Sequence, residues 1–93
     1  MREAKIEQTF TRLINSRGGL CLKFTSASMN GVPDRIVLLP GGRIVFIEFK
    51  TPGAKPRPLQ ARRIEQFRRL GFTVHIIDNP TTAKEVANAL LAA

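Results

Sequence analysis

Apolar residues recur along this chain with two different periods. Over residues 2–16, Ile6, Phe10, Leu13 and Ile14 return every three or four positions, which predicts an amphipathic helix. Arg17-Gly18-Gly19 ends it, glycine being the usual residue just beyond a helix C-terminus. Residues 20–24 read as a strand, followed by a loop over 25–33 rich in Ser, Asn and Gly. Residues 34–39 and 43–50 read as two strands joined by the turn Pro40-Gly41-Gly42, and so as a hairpin. Three prolines and a glycine make 51–58 a loop. Leu59, Arg63, Ile64, Phe67 and Leu70 restore the helical spacing, and Gly71 stops it. Residues 72–77 are apolar at nearly every position and predict a strand buried on both faces. A turn at Asp78-Asn79-Pro80 leads into a last helix, capped by Thr81 or Thr82.

The predicted order is αβββαβα, an α/β fold with a mixed sheet flanked by helices. The crossover through the second helix predicts a fourth strand parallel to the third, with a right-handed connection. A chain of 93 residues makes one domain, 1–93, with a thin core that pairing into a homodimer would supplement.

Charge narrows the function. Fifteen Lys and Arg against seven Asp and Glu give a net charge of +8, which favours a polyanionic partner, nucleic acid first among them. No apolar run approaches the ~18 residues of a membrane span, so no membrane partner is expected. Glu3 and Glu7 interrupt the N-terminus, which has no apolar stretch like that of a secretory signal. The single Cys21 reads as a small core residue in a reducing, intracellular compartment. With one Cys and one His, His75, a four-ligand zinc site is excluded, and His75 itself reads as structural.

The chemistry concentrates on the third predicted strand. Glu48 and Lys50 are two residues apart, so they share a face with Ile44 and Phe46, while Ile47 and Phe49 point the other way. A carboxylate and an ammonium at the end of an apolar strand are costly unless satisfied or used. If the hairpin loop is the three residues 40–42, Asp34 falls opposite Glu48 on the same face; a two-residue turn would shift the register by one. Two adjacent carboxylates suit a hard divalent cation such as Mg²⁺, with the Phe49 carbonyl as a further oxygen ligand. Lys50 would orient water or offset charge in the transition state. On the first helix Glu7 lies at the edge of the apolar stripe and is the candidate third carboxylate, with Glu3 in reserve.

Gly31-Val32-Pro33-Asp34-Arg35 followed by Glu48-Phe49-Lys50 resembles the signature of the PD-(D/E)XK nuclease superfamily. With the Pro-Gly-Gly turn and Gln60 early in the next helix, nearly the whole chain resembles the VRR-NUC (virus-type replication-repair nuclease) family. The resemblance implies a restriction-endonuclease-like fold. It implies that Asp34, Glu48, Lys50 and Gln60 are active-site positions, that Glu7 is the helix-one glutamate, and that Mg²⁺ is the cofactor with Mn²⁺ able to substitute. Stand-alone members of viral type resemble homodimeric Holliday-junction resolvases, and members with extra domains cut flaps. Branched DNA, a four-way junction or a flap, is therefore the implied substrate, in the cytoplasm of the host if the protein is viral.

Seven of the basic residues fall between Lys50 and Arg69. Lys55 and Arg57 in the proline-stiffened loop, Arg62 and Arg63 on the second helix, and Arg35 and Lys23 on strands are the candidate DNA contacts. Such contacts hold the phosphate backbone and do not read sequence. There is no Trp or Tyr and the six Phe fit core positions, so stacking on bases is not expected. A DNA-binding module without catalysis is the rival reading, and it leaves unexplained why a polyanion binder would keep Asp34 and Glu48 together.

Overall fold

The computed structural model describes residues 3–92. Ile6, Phe10 and Ile14, one turn apart, all become fully buried, so α1 (Glu3–Ser16) forms as a helix laid on a sheet. The expected start at Arg2 lies outside the described residues. Then come β1 (Leu20–Lys23), β2 (Arg35–Leu39), β3 (Arg43–Phe49), α2 (Pro58–Arg69), β4 (Thr73–Ile77) and α3 (Pro80–Ala92), the order αβββαβα. The sheet runs β1-β2-β3-β4, with β1, β2 and β3 mutually antiparallel and β4 parallel to β3.

Strand alternation divides the side chains between two unequal cores. Val37, Leu39, Val45, Ile47, Phe49 and Ile77 face α1 and α3 and pack with Phe10, Ala83 and Ala87. Each large apolar side chain fully buried there contributes about 1.5–3 kcal/mol. The other face holds a smaller cluster of Phe46, Val74 and Ile64, with Phe24, Ile36 and Phe67 half-buried around it. Among the described residues α2 is the helix over this face, and it lies toward β4.

Several expectations change in the structure. The strand at 72–77 is not buried on both faces: β4 is an edge strand on which Thr73 and Ile76 are exposed. The six Phe are not all core residues, since Phe24 and Phe67 are half-buried and Phe72 is exposed. The last helix is capped by Asn79 in place of Thr81 or Thr82. Its Oδ1 accepts the Thr82 N–H at 2.8 Å, and Pro80 takes the first helical position. Pro58 likewise opens α2 one residue before the expected start. No helix among the described residues is long and apolar enough to cross a membrane.

The hairpin turn is the expected three residues, with Leu39 facing Arg43 and with Gly41 and Gly42 both at positive φ. Gly31 also has positive φ (81°), and it lies under α2, where an added Cβ would stand 2.9 Å from Leu59 Cγ. Gly31→Ala is expected to destabilise by at least about 1–2 kcal/mol from backbone conformation alone. A thermal melt should show the midpoint lowered by about 4–16 °C. An unchanged midpoint would mean that the 25–33 loop does not rest on α2 as described.

Candidate active site

The hairpin register builds the site. Arg35 pairs with Ile47, so one step further Asp34 stands across from Glu48, on the α2 face. The Phe49 N–H donates to Asp34 Oδ2 at 2.9 Å, tying the end of β3 to this carboxylate. Glu48 is 1% exposed. Its Oε2 accepts from Lys50 Nζ at 3.0 Å and from Gln60 Nε2 at 3.1 Å, whereas its Oε1 is buried with no hydrogen-bond partner. Lys50 Nζ also donates to Gln60 Oε1 at 2.8 Å. The same Gln60 oxygen accepts the Arg57 N–H at 3.1 Å, so one amide both caps the start of α2 and closes the Glu48–Lys50 triangle.

Burial sets the electrostatics. The Asp34 and Glu48 carboxyls are both pushed up from their ordinary values, chiefly by desolvation. The Phe49 N–H pulls Asp34 back and the Lys50 ammonium pulls Glu48 back, while Glu7 adds to the rise at Asp34 and Asp34 to the rise at Glu48. The folded chain therefore holds protons that the unfolded chain has already released. Without metal, these groups should make stability fall as pH rises from the ordinary carboxylate range, near 4, toward neutrality. Thermal midpoints of wild type minus those of Glu48→Gln, taken from pH 4 to 8 in EDTA, should decline over that window. A flat difference would show that Glu48 titrates normally.

The first helix is arranged differently from the expectation. Glu7 Oε1 accepts from Arg35 Nε at 2.7 Å, on the sheet face opposite Asp34 and Glu48. Among the described residues no three His, Cys, Asp or Glu gather closely enough to hold a metal ion together. Glu3 lies in the field of the site. Its carboxyl is raised by burial first and then by Asp34, and it is lowered by Lys50.

The candidate DNA contacts also separate. Lys55, Arg57 and Arg62 are exposed side chains on the loop after Lys50 and on α2. Arg63 is committed to the Asn30 carbonyl at 3.0 Å and to Gln66 Oε1 at 2.9 Å, where it binds the 25–33 loop to α2. Arg35 is committed to Glu7. Lys23 pairs with Arg35 across the strands, so it too faces away from Glu48.

No family model matches the chain. A solved structure described as "VRR_NUC domain" superposes on it with a TM-score of 0.86 at 30% identity, over 92% of this chain and 94% of that one. The chain is 42% identical over 79 residues to "Putative nuclease p44" of Acyrthosiphon pisum secondary endosymbiont phage 1, across 85% of each protein. The chain belongs to the VRR-NUC family. As a VRR-NUC protein it is a nuclease, a hydrolase whose substrate class is DNA.

One residue near the VRR-NUC site was not foreseen. Asp78 Oδ2 accepts the Gly53 N–H at 3.2 Å. Thr51-Pro52-Gly53-Ala54 closes a turn through the Ala54 N–H and the Thr51 carbonyl at 3.0 Å, with Gly53 at φ 81°. Asp78 thus anchors the loop that carries Lys55 and Arg57. The signal lay in the parallel pairing, because a residue just past Ile77 must lie beside Lys50 once Phe49 pairs with Ile77.

Proposed function

We propose that this VRR-NUC protein is a Mg²⁺-dependent, structure-selective endodeoxyribonuclease that resolves four-way DNA junctions as a homodimer. The observation that carries the metal assignment is Glu48 Oε1, a buried carboxylate oxygen with no partner, standing across one strand pair from Asp34. An orphaned anionic oxygen is costly unless something positive meets it. Asp34 Oδ1, Glu48 Oε1 and the Phe49 carbonyl offer the all-oxygen donor set that a hard divalent cation takes. Mn²⁺ has the same preference and should substitute. Glu7 joins them as a candidate ligand if it is released from Arg35.

A divalent cation held there supplies Lewis-acid polarisation of the scissile phosphate. The chain's own groups account for the rest. Hydrolysis adds water across one P–O bond: the attacking water loses a proton and the departing sugar oxygen gains one. Lys50 Nζ has three donors, of which Glu48 and Gln60 take two, leaving one for the phosphate or the attacking water. Gln60 fixes the direction of that donor by gripping Lys50 and Glu48 together. Lys55, Arg57 and Arg62 hold the backbone of the duplex, and the phage-type setting makes the host cytoplasm the place where substrate is met.

The test is cleavage of labelled four-way junction, flap and linear duplex, with Mg²⁺, Mn²⁺ or EDTA. Metal-dependent paired nicks in the junction support the whole reading. Cutting restricted to flaps keeps the site and replaces the substrate. Binding without cleavage under any metal would sink the catalytic assignment in favour of a DNA-binding module.

A further inference from the structure

The sheet face that carries Glu48 is covered by α2 only in part. Leu20 and Ile44 both pair with Leu38 across the strands, and Leu22 with Ile36, so they form adjoining apolar rows on this face. Leu20 (53% exposed), Leu22 and Ile44 are open to solvent, as are Leu70 (76%) and Phe72 at the end of α2 and the start of β4. Beside them Phe24, Phe46, Phe67, Leu70 and Phe72 line an open cavity of about 190 Å³ with no polar group in its wall. Phe46 is its floor, in ring contact with Phe24, Phe67 and Phe72 at 5.4, 4.8 and 5.7 Å.

We propose that this face binds a second copy of the chain through Leu20, Leu22, Ile44, Leu70 and Phe72. The proposal supplies the surface for the homodimer read above and rests on that reading. Three observations select a second copy as the occupant. The exposed apolar area is on the order of 400 Å², which exceeds what a soluble monomer ordinarily shows as scattered residues. It matches the apolar centre of a standard interface of ~800 Å² per partner. The patch also carries no charge, on a chain whose net charge of +8 opposes self-contact over charged surfaces. Finally, a twofold contact must be self-complementary, and this face has both parts: aliphatic knobs at Leu20, Leu22 and Ile44, and beside them a cavity sized for such side chains.

The position also suits the chemistry. Ile44 lies four residues before Glu48 on the same face of β3, or roughly 13 Å away. Pairing over Leu20, Leu22 and Ile44 leaves the Asp34–Glu48 end of the strands open to DNA.

The test is molar mass by light scattering and sedimentation over a concentration series of the full chain. Wild type, Leu20→Glu, Leu70→Glu and, as a control on the other side of the sheet, Ala89→Glu on α3 would be compared. A wild-type dimer whose dissociation constant rises at least ~30-fold in Leu20→Glu and Leu70→Glu, and not in Ala89→Glu, is expected. Leu70→Gln keeps the test readable if an acidic variant does not fold, and it should weaken the dimer without altering circular dichroism. A dimer that persists in all the variants overturns this surface and leaves the homodimer reading intact. Loss confined to Ala89→Glu moves the interface to α3. A wild-type monomer at ~100 µM, a level at which standard-size interfaces are occupied, overturns both.

Discussion

Glu48→Gln is expected to abolish cleavage and, in the same protein, to raise the thermal midpoint measured in EDTA. The two effects share one cause. In the metal-free fold Glu48 is a buried carboxylate with one oxygen satisfied by Lys50 and Gln60 and the other satisfied by nothing. Glutamine has nearly the same shape, keeps an acceptor for Lys50 and turns the orphaned oxygen into an amide that can donate toward Asp34. Removing an unsatisfied buried anion should return about 1 kcal/mol after the weakened Lys50 contact is deducted. For a domain of this size that is about 4–8 °C. Cleavage should fall by at least ~10³, because a neutral amide is a poor ligand for a hard cation. Mg²⁺ should also lose its ability to raise the midpoint, since stabilisation by a ligand needs its site. Cleavage within tenfold of wild type would remove Glu48 from the metal site. A lowered midpoint with lost activity would mean that Glu48 holds the fold together and is not kept there at its expense.

Much of this site could be read from the sequence because it depends on local rules. Two residues apart on a strand means one face, so Glu48 and Lys50 had to be neighbours. A Pro-Gly-Gly loop supplies two residues free to take positive φ, and a three-residue loop puts Asp34 opposite Glu48. What escaped depends on choices made between distant segments. Arg35 is 28 residues from Glu7, and Arg63 is 33 from Asn30. Long cationic side chains reach many partners, and periodicity says nothing about which they take. Charge alone therefore marked as DNA contacts two arginines that the fold uses internally. β4 shows a related failure: its apolar run reads as doubly buried, yet it forms a sheet edge, and an apolar pattern does not reveal what covers it. The Asn79 cap was legible in principle, because Asn followed by Pro is a common way to open a helix.

Lys50→Ala should be as inactive as Glu48→Gln for the opposite electrostatic reason, and stability separates the two. Removing the ammonium leaves Glu48 buried with a single hydrogen bond, from Gln60, and a still higher carboxyl affinity for protons. That should cost about 1–3 kcal/mol, a fall in midpoint where the Glu48 variant rises. Mg²⁺ should partly restore the Lys50 variant, because Asp34 and Glu48 remain to bind it. Turnover should drop ~10²–10³ with KM for junction DNA little changed, the pattern of an interaction made in the transition state. Lys50→Arg should not rescue it, since a planar guanidinium does not fit the point-charge slot between Glu48 Oε2 and Gln60 Oε1. The double variant Glu48→Gln with Lys50→Ala gives the sharpest reading. If the two side chains act as one buried pair, adding Lys50→Ala to Glu48→Gln should cost much less stability than adding it to wild type. Full additivity would show that Lys50 and Glu48 are neighbours without being coupled, and the reason for placing a lysine beside the metal site would then have to be sought in its contact with DNA.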